Sequence, residues 1–164
     1  EGVHAGAQVD LHPPLLDVTG WYAGTQGFVT GYLPVAPRIT LAGRVGGRRV
    51  WGEFPWQAAA FIGGDQSVRG YKPQRFAGRS SLYGNLEARV GLGRAVLLVP
   101  GELGVFVHGD VGRVWADDER SSRWHPAAGG GLYFVLPEIE NAFHLGVAAG
   151  RDGPLVPFGA GCGV

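Results

Sequence analysis

The sequence predicts an all-β fold in which eight long antiparallel strands form a transmembrane β-barrel. Three observations in the 164 residues predict it: apolar and polar residues alternate along many segments, turn residues separate these segments, and no convincing helical period occurs. Several segments are longer than the about five or six residues of a typical soluble strand, and a tilted strand of about 9–11 residues crosses a membrane. An even number of strands is also typical of bacterial outer-membrane barrels.

The first strand is predicted over residues 1–12, where Val3 and Val9 lie on an apolar face and His4 lies on the opposite, polar face. Proline and glycine residues mark the turns between the later strands. These strands are predicted at residues 20–33, 38–46, from about 82 onward, 102–115, 126–136, 142–150 and 155–164. A long loop over about residues 47–79 interrupts the series and is expected to point into the barrel lumen.

The lengths of the connections alternate along the chain. Those at residues 12–19, 47–79 and 116–125 are long, and those at 34–37 and 137–141 are short, as expected of extracellular loops and periplasmic turns. On this topology, aromatic residues lie at the extracellular strand ends, where their amphipathic rings are favoured. These residues are Trp21, Tyr22, Tyr83, Trp115 and Trp124.

Composition excludes several other classes of protein. The formal net charge is zero and no basic stretch occurs, so nucleic acid is not expected as a partner. Cys162 is the only cysteine, which excludes an internal disulfide and a thiolate metal cluster. No apolar run approaches the about 18 residues of a membrane helix. Residues 1–164 are expected to form one domain without a soluble N-terminal domain, and Glu1 is interpreted as the start of a mature chain after removal of a signal peptide.

A soluble β-sandwich or lipocalin-like barrel is the alternative fold, because its strands also alternate. Lys72 is the only lysine, whereas the outer face of a soluble barrel should be richer in charge. This scarcity favours an apolar outer face in contact with lipid.

The loop carries the run Val68-Arg69-Gly70-Tyr71, and the two strands that follow carry Glu87 and Asp110 on their polar faces. Arginine presents a rigid fork of donors that suits carboxylates, and Gly70 permits a backbone turn that a side chain would obstruct. Three further polar residues share these faces and are expected to support the network: Asn85, Arg89 and His108.

Several motifs occur in a fixed order along the chain. They are Trp51-Gly52-Glu53-Phe54-Pro55, Phe61-Ile62-Gly63-Gly64, Val68-Arg69-Gly70-Tyr71, Asn85-Leu86-Glu87-Ala88-Arg89, Phe106 with Asp110, Gly112 and Val114-Trp115, and the terminal Phe158-Gly159-Ala160-Gly161-Cys162-Gly163-Val164. This order resembles the C-terminal half of the bacterial surface antigen barrel, the BamA/TamA outer-membrane insertase superfamily. The resemblance covers the chain from about residue 20 to its end.

The resemblance implies that the loop folds into the lumen and that Arg69 pairs with Glu87 and Asp110. Barrels of that family have sixteen strands, so eight strands either close on themselves as a monomer or form half of a sixteen-stranded homodimeric barrel. Small inward residues such as Gly146, Ala148 and Gly150 would make room for the loop. A homo-oligomer joined through the first and last strands is expected slightly in preference to a monomer.

The expected function is that of a non-enzymatic bacterial outer-membrane protein that handles membrane proteins or lipids. Membrane lipids, client membrane proteins and a second copy of the chain are the expected partners, and no cofactor or metal is expected. A passive pore or structural protein is the alternative. Two weaker hypotheses are a metal site and a hydrolase, formed respectively by His4, Asp10 and His12, and by Ser80, Ser81, His108 and Asp110.

Overall fold

The computed structural model describes residues 2–13, 20–96, 99–117, 123–136, 141–156 and 158–160. Within these residues one short 3-10 helix occurs, Trp56–Ala58, and no helix is long and apolar enough to span a membrane. The strands there are β1 (Gly2–His12), β2 (Tyr22–Ala36), β3 (Ile39–Gly52), β4 (Ala60–Ile62), β5 (Phe76–Gly78), β6 (Ser80–Val96), β7 (Pro100–Trp115), β8 (His125–Leu136), β9 (Asn141–Gly150), β10 (Gly153–Leu155) and β11 (Phe158–Ala160).

One antiparallel sheet holds nine of these strands and confirms the all-β prediction. Its order is β1-β2-β3-β6-β7-β8-β9, and both β10 and β11 pair with β9. Among the described residues β1 pairs with β2 alone, so this part of the chain forms an open sheet and not a closed barrel. Strands β4 and β5 form a separate two-stranded sheet inside the long loop.

The third strand is longer than predicted, because it continues through residues 47–52 to Gly52. The loop was predicted to begin at about residue 47, yet Gly46 and Gly47 both pair in register with β2 and β6. A Cβ at Gly46 would lie 2.5 Å from the hydroxyl oxygen of Tyr83, so this glycine makes room for a ring from the adjacent strand. The loop between β3 and β6 therefore begins at Glu53.

The structure also differs from the prediction at the last strand, which was expected over residues 155–164. Strand β10 ends at Leu155, where this strand was predicted to begin, and β11 lies within the predicted range; both pair with β9. Gly153 follows the turn with φ +108°, a conformation that favours glycine. Cys162 and the rest of residues 161–164 lie outside the described residues.

The register of the sheet separates an apolar outer face from a polar inner face. Val29 pairs with Val45, and Val107 pairs with Ala88, so aliphatic positions align across neighbouring strands. Large apolar residues on the outer face are exposed: Val3, Val9, Leu11, Val29, Leu33, Val45, Leu86, Val107, Leu132, Leu145 and Val147. Polar residues on the inner face are buried: Thr30, Ser81, Asn85, Glu87, His108 and Asp110. The outer face of the sheet is therefore apolar, whereas the exposed face of a soluble domain would be polar.

The core lies between the loop and the inner face of β6–β9. Ile62, Val68 and Tyr71 from the loop region are almost completely buried and pack with Val114 and Ala127 of the sheet. The loop thus supplies the apolar filling for this half of the inner face, which itself has few large apolar side chains.

Candidate functional site

The loop returns on itself before it meets the sheet. Strand β4 pairs with β5, and the Gly64 amide donates to the Tyr71 carbonyl at 2.9 Å, which closes the segment between them. The Gly63 amide donates to Ser67 Oγ at 2.8 Å. Gly63 and Gly64 have φ angles of +116° and +85°, which other residues rarely adopt. These hydrogen bonds and glycine conformations fold the loop into a compact tip that carries Arg69.

Arg69 makes a bidentate contact with Asp110 of β7. Its Nε and Nη2 donate to the two carboxylate oxygens, each at 2.9 Å, and its backbone amide also donates to Asp110 Oδ2 at 2.9 Å. The Asp110 side chain is 0% exposed and that of Arg69 is 11% exposed. Three donors from one residue therefore hold the loop to β7.

Glu87 of β6 joins the same guanidinium to a second arginine. Arg69 Nη1 donates to Glu87 Oε2, and Arg89 Nε donates to Glu87 Oε1 at 2.6 Å. Beside this pair, Asn85 Nδ2 donates to the Ser67 carbonyl at 2.5 Å. The structure thus brings together Arg69, both predicted carboxylates and two of the predicted supporting residues.

His108 lies next to this network but contributes differently from the carboxylates. Its side chain is 1% exposed, and its Nδ1 lies 3.3 Å from Asp110 Oδ2 without hydrogen-bond geometry. The ring stacks near Phe106, with centroids 6.1 Å apart. His108 therefore packs against the carboxylate of Asp110 as a buried neighbour.

The other residues of the loop motif fit between glycines and small side chains. Val68 is fully buried, and a Cβ at Gly112 would lie 2.6 Å from its Cγ2. Gly70 has φ +92°, and a Cβ there would lie 3.0 Å from Ala127 Cβ. The loop backbone can lie close to the sheet at Gly70 because neither Gly70 nor Ala127 has a large side chain.

Tyr71 ends the motif with a ring and a hydroxyl that are both engaged. The hydroxyl donates to the Pro126 carbonyl and accepts from the Arg151 amide, each at 3.1 Å. A Cβ at Gly150 would lie 2.5 Å from Cζ of the ring. The small inward residue at position 150 therefore leaves the space that Tyr71 occupies.

No family model matches the chain, and no curated protein matches it either. The resemblance to the insertase superfamily therefore stays a prediction. Geometry alone supports the site, and the role of each residue follows from its contacts.

Sequence reasoning missed Ser67, and it gave no role in holding the loop to two residues of the quoted motifs, Ile62 and Gly112. Ser67 closes the tip through its hydroxyl and accepts from Asn85 through its carbonyl, while Ile62 and Gly112 complete the packing around Val68. Ser67 adjoins the motif directly, and Gly112 shares the inner face with Asp110 at a spacing of two residues. Ser67 and Gly112 could therefore have been recognised from their positions in the sequence. Ile62 could not, because it lies in a three-residue strand that is too short to show a period.

The arrangement positions a loop, and neither serine of the hydrolase hypothesis lies opposite Asp110. Ser80 and Ser81 lie on opposite faces of β6, and Ser81 pairs with Val114, four residues beyond Asp110. Within the described residues no three His, Cys, Asp or Glu side chains group as metal ligands. The contacts of Arg69, Glu87 and Asp110 are those of an anchor between a loop and a sheet.

Proposed function

We propose that this chain is a non-enzymatic outer-membrane β-barrel protein of the insertase superfamily that acts on membrane proteins or lipids. The observation that carries the proposal is a loop anchored by Arg69 on the polar inner face of a sheet whose outer face is apolar. The anchored loop covers the β6–β9 half of the inner face, while the apolar outer face is left to contact lipid.

The outer face supports a membrane location. Val29 and Val107 are 52% and 63% exposed, and both lie on the face opposite the loop. A contiguous apolar surface of this kind is unfavourable in water but suits the hydrocarbon of a bilayer. Trp51 and Trp115 lie at the loop-side strand ends, where an aromatic girdle would contact the lipid interface.

The membrane proposal can be tested with two cysteine variants of one strand. Val29→Cys places a probe on the outer face of β2, and Gln26→Cys places one on the inner face, both in a Cys162→Ala background. In vesicles containing brominated acyl chains, we expect a bimane label at position 29 to be quenched and a label at position 26 to be unaffected. Equal quenching, or quenching at position 26 alone, would contradict the proposal.

Activity on client proteins needs a separate test. Purified protein in lipid vesicles should accelerate the folding of an unfolded eight-stranded outer-membrane protein, and Arg69→Ala should remove most of the acceleration. Wild-type vesicles that fold the client no faster than empty vesicles would contradict the insertase role but not the membrane location.

A passive pore is the second candidate, and a cavity beside the loop favours it. The loop covers the inner face of β6–β9, whereas a cavity of about 840 Å³ separates it from β1–β3. A steady open conductance in planar bilayers would support a pore, whereas long closed periods would support the anchored-loop role.

We also propose that two chains share one barrel through their first and last strands. Strand β1 has an unpaired edge among the described residues, and such edges are usually covered in stable proteins. Oxidation of an Ala5→Cys, Ala160→Cys variant lacking Cys162 should give a covalent dimer. A cross-link confined to single chains would instead support a closed monomer.

A further inference from the structure

A large cavity lies on the half of the inner face that the loop does not cover. Its volume is about 840 Å³, and it separates β1–β3 from the loop segment around Asp65 and Gln66. Small-molecule sites typically have volumes of about 300–1,000 Å³. The cavity therefore has the size of a ligand site, and its chemistry can be read from its walls.

One part of the sheet wall is neutral because its charges compensate each other. Arg48 Nη2 lies 3.5 Å from Asp10 Oδ2, and Arg48 Nη1 donates to Gln26 at 3.0 Å. Gln26 donates to Gln8 at 2.9 Å, and Gln8 donates to Asp10 at 2.6 Å. These four side chains form a closed polar ring across β1, β2 and β3, in which the carboxylate of Asp10 compensates the charge of Arg48.

Arg44 has a different environment on the same wall. Its guanidinium lies 4.5 Å from the ring centroid of Phe28 and 5.7 Å from that of Tyr83. No ion pair joins Arg44 to a carboxylate within the described residues, whereas Arg48, Arg69 and Arg89 each have such a partner there. Two aromatic rings therefore hold a cation at the cavity surface without neutralising its charge.

The opposite wall is formed by the loop and is rich in amides. Gln57, Gln66 and Gln74 line the cavity, and each amide offers both donors and an acceptor. Gln74 has φ +56°, the one left-handed non-glycine residue in the described part of the chain. Such a conformation is unfavourable and is often found at ligand sites. Asp65 on this wall is exposed and makes no ion pair with Arg44.

We propose that this cavity binds a small anionic polyol, such as a sugar phosphate, with its charged group on Arg44. The planar guanidinium suits two oxygens of a phosphate, and the loop amides suit the hydroxyl groups of the same ligand. This site goes beyond the proposed membrane function and does not depend on it.

Calorimetric titration of detergent-solubilised protein tests the site with glucose 6-phosphate as the probe. Wild-type protein should bind it, and Arg44→Gln should weaken binding at least about tenfold through loss of the charge-assisted contacts. Glucose should bind at least about tenfold more weakly than its phosphate, because it lacks the charge. Arg44→Lys should lose less affinity than Arg44→Gln, because it keeps a cation.

Arg49→Gln is the matched control, because Arg49 lies on the outer face of the same strand. It should bind glucose 6-phosphate like the wild type, and all variants should retain their strand content by circular dichroism. Absence of wild-type binding, or unchanged binding in Arg44→Gln, would overturn the proposal. Inorganic phosphate that binds as tightly as glucose 6-phosphate would contradict the role of the polyol.

Discussion

The two halves of the inner face use arginine in opposite ways. On the β6–β9 half, Arg69 reaches from the loop to two buried carboxylates, and its charge is fully compensated. On the β1–β3 half, Arg44 lies between two aromatic rings without a carboxylate partner among the described residues. A compensated arginine fixes a position, whereas an uncompensated one remains able to bind an anion.

Loop docking also distinguishes some glycines of the β6–β9 half. Gly112 and Gly150 receive side chains of the loop, so they contribute to loop docking. Gly6 and Gly46 receive rings from neighbouring strands of the sheet, namely Phe28 and Tyr83. Small residues therefore admit the loop on the β6–β9 half alone, whereas glycines that receive rings of the sheet occur on both halves, as at Gly104 beside Tyr133.

Arg69→Ala should have the largest effect on stability. It leaves Glu87 without one of its partners and removes the partner of a buried Asp110, a change that typically lowers the free energy of unfolding by about 3–5 kcal/mol. Urea unfolding in detergent micelles measures the loss. Hydrogen exchange should show faster exchange at the amides of residues 67–71.

The matched control is Arg75→Ala in the same loop. Arg75 pairs with Asp152, but both side chains are exposed, at 49% and 44%, and such pairs contribute about 0–1 kcal/mol. Equal losses for the two variants would mean that the Arg69 network is no stronger than a surface ion pair.

Gly150→Ala should have the next largest effect. The new methyl group would lie 2.5 Å from Cζ of Tyr71 and 2.9 Å from the Gly70 carbonyl oxygen, so the loop must shift. Such overpacking typically costs about 1–3 kcal/mol, measurable as a lower urea midpoint.

Gly109→Ala serves as its control, because no atom lies within 4 Å of a Cβ built at that glycine. A stability loss as large in Gly109→Ala would assign the effect to strand glycines in general and not to loop docking.

Much of the fold could be predicted because the alternation of apolar and polar residues along a strand is visible in the sequence itself. Alternation in β1 placed Val3 and Val9 on one face, and the structure exposes both. The contacts of Arg69 were implied by the family resemblance, and alternation supported them, since it placed Glu87 and Asp110 on the polar faces of their strands. Period two fixes the face of a residue once its strand is located.

Other features could not be predicted because they depend on contacts between distant residues. Gly46 makes room for the Tyr83 ring of another strand, a contact that alternation within one segment does not show. Strands β4 and β5 have three residues each, which is too few to show a period. The cavity around Arg44 also depends on how far the loop stands from β1–β3, which no local pattern encodes.

Tyr71→Phe should have a smaller effect than either change to the anchored half above. The variant keeps the packed ring but removes a hydroxyl that bridges the Pro126 carbonyl and the Arg151 amide. Loss of such hydrogen bonds typically costs about 0.5–1.5 kcal/mol. Exchange at the Arg151 amide should accelerate while the Arg69 amide, bound to Asp110, stays protected. Equal acceleration at both amides would mean that the hydroxyl holds the whole tip.

Arg44→Gln should have the smallest effect on stability. It tests whether the arginine on the β1–β3 half of the inner face is needed for folding. Arg44 has no described carboxylate to leave unpaired, so its replacement removes only the contacts with Phe28 and Tyr83. Cation–π contacts of this kind contribute about 0.5–1 kcal/mol at exposed sites. Urea unfolding of Arg44→Gln beside Arg69→Ala gives the difference under identical conditions. If Arg44→Gln lowers the free energy of unfolding as much as Arg69→Ala, both arginines are structural and the charge of Arg44 is not available to a ligand in the cavity. A small cost together with lost anion binding would separate the two halves, because folding would depend on one arginine and recognition on the other.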